Sequence, residues 1–307
     1  MLISLIICTL NRNQDLKELL ECLLTQKTDN MFEYEIVVVD NNSSDDTKKV
    51  IDVLMPRFNG KLRYFLETRK GKPFCINTGI AQAKGEVLGF TDDDCLVEND
   101  YLSTIYNEFK NADASIAFMG GKVLPKWYCK KIPSWITEEF MGPLGVFNCG
   151  DEPFVIEKKE GSKPTLFFGE NQLFRKSVFS KHGNSAESKI YAQDTEICRR
   201  LLNNGEKALY APKIKVYHKI PNRRLTPQNF YEWFNRRGQY ADFFLTYENK
   251  PYYINGIPFW VIRDCIKHYV LSFLSFSKTK RVRTRCDAYY SCGIMQKIIS
   301  NKANKQN

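Results

Sequence analysis

No run of about 18 uncharged apolar residues occurs in this 307-residue chain, so no transmembrane helix is expected. The opening MLISLIICTL lacks the basic segment and small-residue cleavage site of a secretory signal. It runs straight into Asn11-Arg12-Asn13 and is better explained as a buried strand. The ten cysteines form no CxxC pair and no zinc-type spacing, which excludes a zinc framework. Several stand in apolar runs, where Cys behaves as a small buried hydrophobe, and this usage fits a reducing, cytoplasmic setting. Histidine is scarce, with three in all, and no internal repeat is visible. Acidic residues are scarce in one place only. Residues 222–307 hold 15 Lys and Arg against 5 Asp and Glu, whereas 1–221 hold 30 of each. The net +10 therefore belongs to the tail. A nucleic-acid-binding protein, the reading that a basic chain first invites, has to contend with a balanced first 221 residues and an acidic cluster among them.

What is present is ample core material: 43% of residues are hydrophobic and 13% aromatic, which excludes a wholly disordered chain. Residues 2–8 are continuously apolar, as in a parallel strand covered on both faces. Leu16, Leu19, Leu20, Leu23 and Leu24 then recur at helical spacing. Strands are expected at 35–40, 61–66 and 86–91, with helices opening after the turn at 41–45 and over 73–84. Strands alternating with helices at this spacing predict βαβ units and an α/β fold with a mostly parallel sheet. Beyond 120, strands and loops are expected through 165, a helix over 195–204 and a short strand near 215–218. Aromatic-rich helices follow from 226.

Asp92-Asp93-Asp94 directly follows a predicted buried strand, at the sheet edge where α/β proteins bind ligands. Three adjacent carboxylates repel unless solvated, protonated or bridged by cations. A divalent metal holding a diphosphate supplies such a bridge; a solvated turn capping the next helix is the plainer alternative. Alternation along an extended chain places Asp92 and Asp94 on one side and Asp93 on the other. Asp40 ends another strand, where a carboxylate can accept the N3–H of uracil or, equally, the N1–H and amino group of guanine. Thr9, Asn11 and Arg12 close the first strand at the same edge.

ISLIICTLNRNQDL, EIVVVDNNSSDDT, the basic loop preceding Asn77 and GEVLGFTDDDCLVENDYL follow in order, with GENQLFRKSVF, QDTEICRRLLNNG and APKIKVYHK after them. Over roughly residues 1–220 this series resembles family 2 glycosyltransferases of GT-A fold. The resemblance implies a nucleotide-sugar donor, a UDP-sugar before others, and an inverting, metal-dependent transfer to a glycan or lipid-linked acceptor. It places Asp94 as direct ligand of Mn²⁺ or Mg²⁺, Asp92 near the ribose and metal, Asp93 beside them and Asp40 on the base. Thr9, Asn11, Arg12, Arg69 and Asn77 fall at the nucleotide, although Arg69-Lys70-Gly71-Lys72 departs from the commoner small-residue loop. The acid pair before the late helix is here Gln193-Asp194, with Asp194 aligned on the catalytic base or else only capping that helix. His218 stands where some relatives have a third metal ligand. Glu170 and Asn171 stand where an acceptor sugar would be held. Trp127 and Trp135 either stack on a sugar or pack in the core. Residues 1–120 are expected to be a nucleotide-sugar-binding half, 121–221 an acceptor-side half and 222–307 a helical extension. A nucleotidyltransferase of similar fold is the enzymatic alternative.

In the tail, residues 257–276 are apolar but carry Arg263, Asp264, Lys267 and His268 within six positions. An ordinary buried helix and an interfacial helix both account for them. Residues 278–285 contain five basic residues. The expectation is peripheral contact with an anionic membrane surface at the inner face of the cell.

Overall fold

The computed structural model describes residues 1–158, 167, 169–187, 193–240 and 253–306, the side chains of 193, 194 and 302–306 excepted. Strand periodicity lays out both sides of the sheet. In β1 (Leu2–Thr9), Ile3, Leu5 and Ile7 share one face with the leucines of α1 (Asn13–Leu24). Ile6 points the other way, against Cys75, Ile76 and Ile80 of α3 (Lys72–Gln82). Cover on both faces is why the run is continuously apolar. β2 (Glu33–Asp40) divides likewise, Ile36 and Val38 to the first core and Val37 and Val39 to the second. At Gly79 a β-carbon would lie 2.4 Å from Ile6 Cγ2, so only glycine lets α3 sit this close to β1.

β1, β2, β3 (Leu62–Leu66) and β4 (Val87–Asp92) are parallel, in the order β3-β2-β1-β4. Thr9 lies opposite Asp40 and Cys8 opposite Asp92, so three carboxyl-terminal ends finish level. The winding direction reverses between β1 and β4, which makes that gap the topological switch point. Beyond β4 the sheet continues antiparallel through β8 (Gln172–Arg175), β6 (Ile116–Trp127), β9 (Lys207–Ile220) and β5 (Cys95–Val97). β7 (Phe154–Ile156) also pairs with β9. Helices α2 (Thr47–Leu54), α4 (Tyr101–Asn111), α5 (Ser177–His182) and α6 (Gln193–Asn203) complete this α/β part.

Two sequence expectations change. β9 is 14 residues long instead of a short strand near 215–218. Pro212, which reads as a break, falls in the gap between the stretch paired to β7 (208–210) and that paired to β5 (216–218). And the acidic triplet does not alternate: β4 ends at Asp92, and the chain turns at Asp93-Asp94.

The chain divides into two compact units, residues 1–126 with 145–219, and 127–144 with 220–307. In the second, α7 (Pro227–Gln239) is capped by Thr226, whose hydroxyl accepts Asn229 N–H at 3.4 Å. A hairpin of β10 (Tyr253–Ile254) and β11 (Ile257–Pro258) leads into α8 (Phe259–Leu274) and α9 (Lys278–Gln306). Gly238 and Gly293 let α7 and α9 touch backbone to backbone. Trp135 is a core residue here, edge-on to Phe140 and Phe230, and Trp127 is half-buried. No described helix is long and apolar enough to cross a membrane.

Candidate active site

The level strand ends bring Thr9, Arg12 and the acidic turn together. Thr9 Oγ1 donates to Asp93 Oδ2 at 2.7 Å, and Arg12 Nη1 donates to Asp93 Oδ1 at 3.1 Å and also to Asp94 Oδ2. The antiparallel pairing of β5 with β9 sets Cys95 opposite His218, and Lys219 N–H donates to the Asp94 carbonyl at 2.9 Å. That register carries the buried His218 to the turn, its Nε2 3.5 Å from Asp94 Oδ2. Asp92 turns elsewhere, to Lys72 Nζ at 2.5 Å, at a narrow cleft lined by Cys8, Ile76, Thr91 and Gly169.

Three neighbouring carboxylates thus meet three environments. Burial pushes Asp93 up to about 7, against the pull of Arg12. Burial would raise Asp94 as well, but His218 and Arg12 overcome it and hold that carboxyl well below its ordinary range. Asp94 is therefore ionised at neutral pH.

Around the β2 end, the buried Asp40 accepts Ser43 N–H at 2.9 Å and Tyr64 O–H at 3.1 Å. Asn11 N–H donates to Ser43 Oγ, and Asn11 Oδ1 accepts Ser44 N–H at 2.7 Å, which joins the β1 and β2 loops. The basic loop has its own clamp. Asn41 donates to the carbonyls of Glu67 and Arg69 and accepts Gly71 N–H. Arg69 pairs through two nitrogens with Glu67, at 3.0 and 2.8 Å, and lies 4.7 Å above the Phe74 ring. Asn77 exchanges hydrogen bonds with the Ser185 backbone and donates to Glu187 at 3.2 Å. Arg69, 3.5 Å from the same Glu187, and Asn77 therefore both hold the 185–187 segment.

On the acceptor side the two expected residues part. Glu170, in the short turn Gly169–Asn171, lies beside His218. At Gly145 (φ +72°) a β-carbon would come within 2.8 Å of the imidazole and 2.9 Å of Glu170 Oε1. Asn171 is not on a pocket wall. It is 1% exposed, donates to the Lys122 and Ile214 carbonyls at 2.9 and 3.1 Å and accepts Tyr101 O–H at 3.1 Å. Its amide is used up in pinning strands together, which corrects the expectation that it binds a sugar. Asp194 lies in the first turn of α6; its side chain is outside the described residues.

Sequence reasoning missed Lys72, Tyr64, Glu67, Asn41 and Gly145. Lys72 stood within the basic loop as quoted, but its tie to Asp92 depends on a 20-residue separation closed by the fold.

Asp94 and His218 offer an anionic oxygen and a ring nitrogen close together, a donor set that suits a divalent cation completing its shell with phosphate oxygens and water. Among the described residues no three His, Cys, Asp or Glu side chains form a cage.

The sequence profile of glycosyl transferase family 2 matches residues 4–183. The glucosyl-dolichyl phosphate glucuronosyltransferase of Haloferax volcanii is 24% identical over 295 residues, 88% of this chain and 87% of that protein. The solved mannosyltransferase PcManGT from Pyrobaculum calidifontis, in complex with GDP-Man and Mn²⁺, superposes with a TM-score of 0.64 at 18% identity, covering 97% of this chain and 87% of that one. S. aureus TarS 1–349 in complex with UDP-GlcNAc gives 0.55 at 17% identity, over 96% and 91%. At such identities the two structures show a shared GT-A fold.

Proposed function

The chain belongs to glycosyl transferase family 2 and is an enzyme that transfers sugars; we propose that it moves a sugar, with inversion, from a UDP-sugar to a hydroxyl of a glycan or lipid-linked acceptor. Sugar transfer in glycan or polysaccharide synthesis is the part its relatives support directly. The observation that supports a donor site is the convergence of Thr9, Arg12, Asp40 and Asp92–Asp94 at the switch point between β1 and β4; inversion is taken from the family resemblance.

Asp40 is assigned to the base. Each of its oxygens already accepts one hydrogen bond, and it is nearly sealed from solvent. Each oxygen keeps one acceptor site, enough for the N3–H of uracil and equally for the paired donors of guanine, so the UDP-sugar is carried by the resemblance. Asp94, with His218 beside it, would hold a Mn²⁺ or Mg²⁺ ion. When bound, such an ion stabilises the negative charge of the departing diphosphate. Arg12 and Lys72, both partly exposed, place cations at the same edge and orient the phosphates. Asp93 does not need to touch donor: its bonds to Thr9 and Arg12 support a positioning role. Glu170 is assigned to the acceptor, and Asp194, at the start of α6, to the proton of the attacking hydroxyl. Gln193 stands where the family usually has Glu, so the position before Asp194 carries no charge. Residues 1–120 are assigned to the donor, 121–221 to the acceptor and 222–307 to an extension. The location this reading assigns is the cytoplasm, beside the inner face of the cell membrane.

The test is donor turnover, read as release of nucleoside diphosphate without pyrophosphate, alongside thermal shifts with UDP, GDP and their sugars, with and without Mn²⁺. Asp194→Asn is expected to lose about 100-fold or more in turnover while keeping the donor-induced shift. Asp94→Ala is expected to lose the Mn²⁺-dependent part of that shift. Full turnover in both variants would overturn the catalytic assignment.

A further inference from the structure

Helix α8 buries Val261 against Ile294 and Ile298 of α9 in its first turn, but is built inside out toward its C-terminal end. In a water-soluble helix pair the large apolar side chains face the partner and small polar ones face solvent. Here the residues of α8 buried in its own unit include Ser272, 1% exposed, and Ser275, which follows its last turn, is 8% exposed. Their hydroxyls are satisfied by bonding back to the carbonyls of Tyr269 and Leu271. Facing outward instead are Ile266 at 60%, Phe273 at 64% and Leu274 at 67% exposure, with Val270 between them at 49%. Phe276, at the corner between α8 and α9, is fully exposed. Small residues at the helix contact and bulky apolar ones outside are the arrangement of helices packed in lipid. With 16 residues, α8 is about 24 Å long, too short to span a bilayer and suited to lying in its surface.

The cations beside this face divide into two groups. Arg281 donates to the Ser275 carbonyl and closes the corner; Arg285 donates to Tyr269 Oη and lies over the Tyr269 and Phe273 rings; Arg283 lies 3.5 Å from Asp287. These three serve the fold. Lys267, Lys278 and Lys280 are exposed, and among the described residues no carboxylate pairs with them. Lys267 stands within the apolar face, and the other two follow Phe276 directly.

We infer that the outer face of α8 and the α8–α9 corner form a docking surface for an anionic bilayer. Ile266, Val270, Phe273, Leu274 and Phe276 enter the boundary between headgroups and acyl chains, and Lys267, Lys278 and Lys280 contact lipid phosphates. An apolar face bordered by exposed lysines matches the chemistry of such an interface on both counts. A protein groove or a second copy of the chain would match the apolar part alone. This inference does not depend on the donor, the metal or the base.

The experiment is co-sedimentation of the full chain with phosphatidylcholine vesicles, with and without phosphatidylglycerol. The chain is expected to partition to the anionic vesicles, weakly to the neutral ones, and to be released by salt. The double variant Leu274→Ser, Phe276→Ser changes exposed side chains only. It is expected to lose vesicle binding at every salt concentration while keeping the melting temperature and donor turnover. Lys267→Gln, Lys278→Gln and Lys280→Gln are each expected to weaken partitioning about fivefold at low salt. Equal binding to neutral and anionic vesicles, or unchanged binding by the serine variant, would overturn the inference. So would a chain that is dimeric in solution, becomes monomeric in the serine variant and ignores vesicles. Because donor turnover is read without vesicles, failure here and failure of the proposed reaction are separately visible.

Discussion

Glu67 shows how a site loop is held by one carboxylate. It sits just past β3, 6% exposed, and accepts Arg69 N–H at 2.8 Å, the Arg69 guanidinium twice and Thr78 Oγ1 at 2.6 Å. The Arg69 side chain, then Thr78, draws its carboxyl down to about 2. A carboxyl depressed in the folded state binds fewer protons there than in the unfolded chain at acid pH. Its contribution is thus complete above about pH 4.5 and lost as pH falls toward about 2. Glu67→Gln removes the charge and turns an amide N–H₂ toward existing donors. The variant is expected to be about 2 kcal/mol less stable at neutral pH, with the gap closing as pH falls through that window. Urea midpoints of both proteins across acid pH measure this; a constant gap would show that the charge is irrelevant. None of it was legible in advance. Thr9, Asp40 and Asp92–Asp94 could be picked out because strand ends announce themselves by pattern. Glu67, Asn41 and Lys72 act through partners that only the folded loop supplies.

At the scale of elements, the parallel half was legible because each strand and helix there carries its own periodicity, from the leucines of α1 to the alternation of β2. The antiparallel half was less so, because its order, β8-β6-β9-β5, is set by pairings far apart in sequence. His218 reaches Asp94 only through the β5–β9 register. Asn171 belongs to the same class: its place in GENQLF resembles a sugar-binding segment, but its amide joins β6 and β9 beneath Tyr101. Asn171→Leu would strand two buried carbonyls and a buried hydroxyl. Each unsatisfied group costs about 1–3 kcal/mol, so a loss of about 3 kcal/mol or more is expected, seen as a lower urea midpoint at unchanged slope. A stable variant with weakened acceptor binding would instead return Asn171 to the pocket.

For the whole molecule, charge and packing draw different boundaries. The charge surplus begins at 222, but compactness assigns residues 127–144 to the same unit as 220–307. The reason is aromatic. Trp135 and Phe140 lie edge-on to Phe230, with ring centroids 5.1 and 5.3 Å away, and Arg224 donates to the Pro143 carbonyl at 3.4 Å. Composition could not show this, because residues 127–144 are read in sequence as one more loop over the sheet and their partner lies about a hundred residues later. A chain ended at 221 would keep Trp135 and Phe140 and lose the ring they pack on. Removing a buried Phe side chain alone costs about 3–5 kcal/mol, and here the helix that carries it goes too. The shortened chain is therefore expected to bind a hydrophobic dye strongly and to self-associate on size exclusion, whereas Phe230→Leu in the full chain keeps the fold with a lowered melting temperature. A monodisperse, dye-silent 1–221 fragment would show that residues 127–144 find their core without the extension, and that the charge boundary is also the structural one.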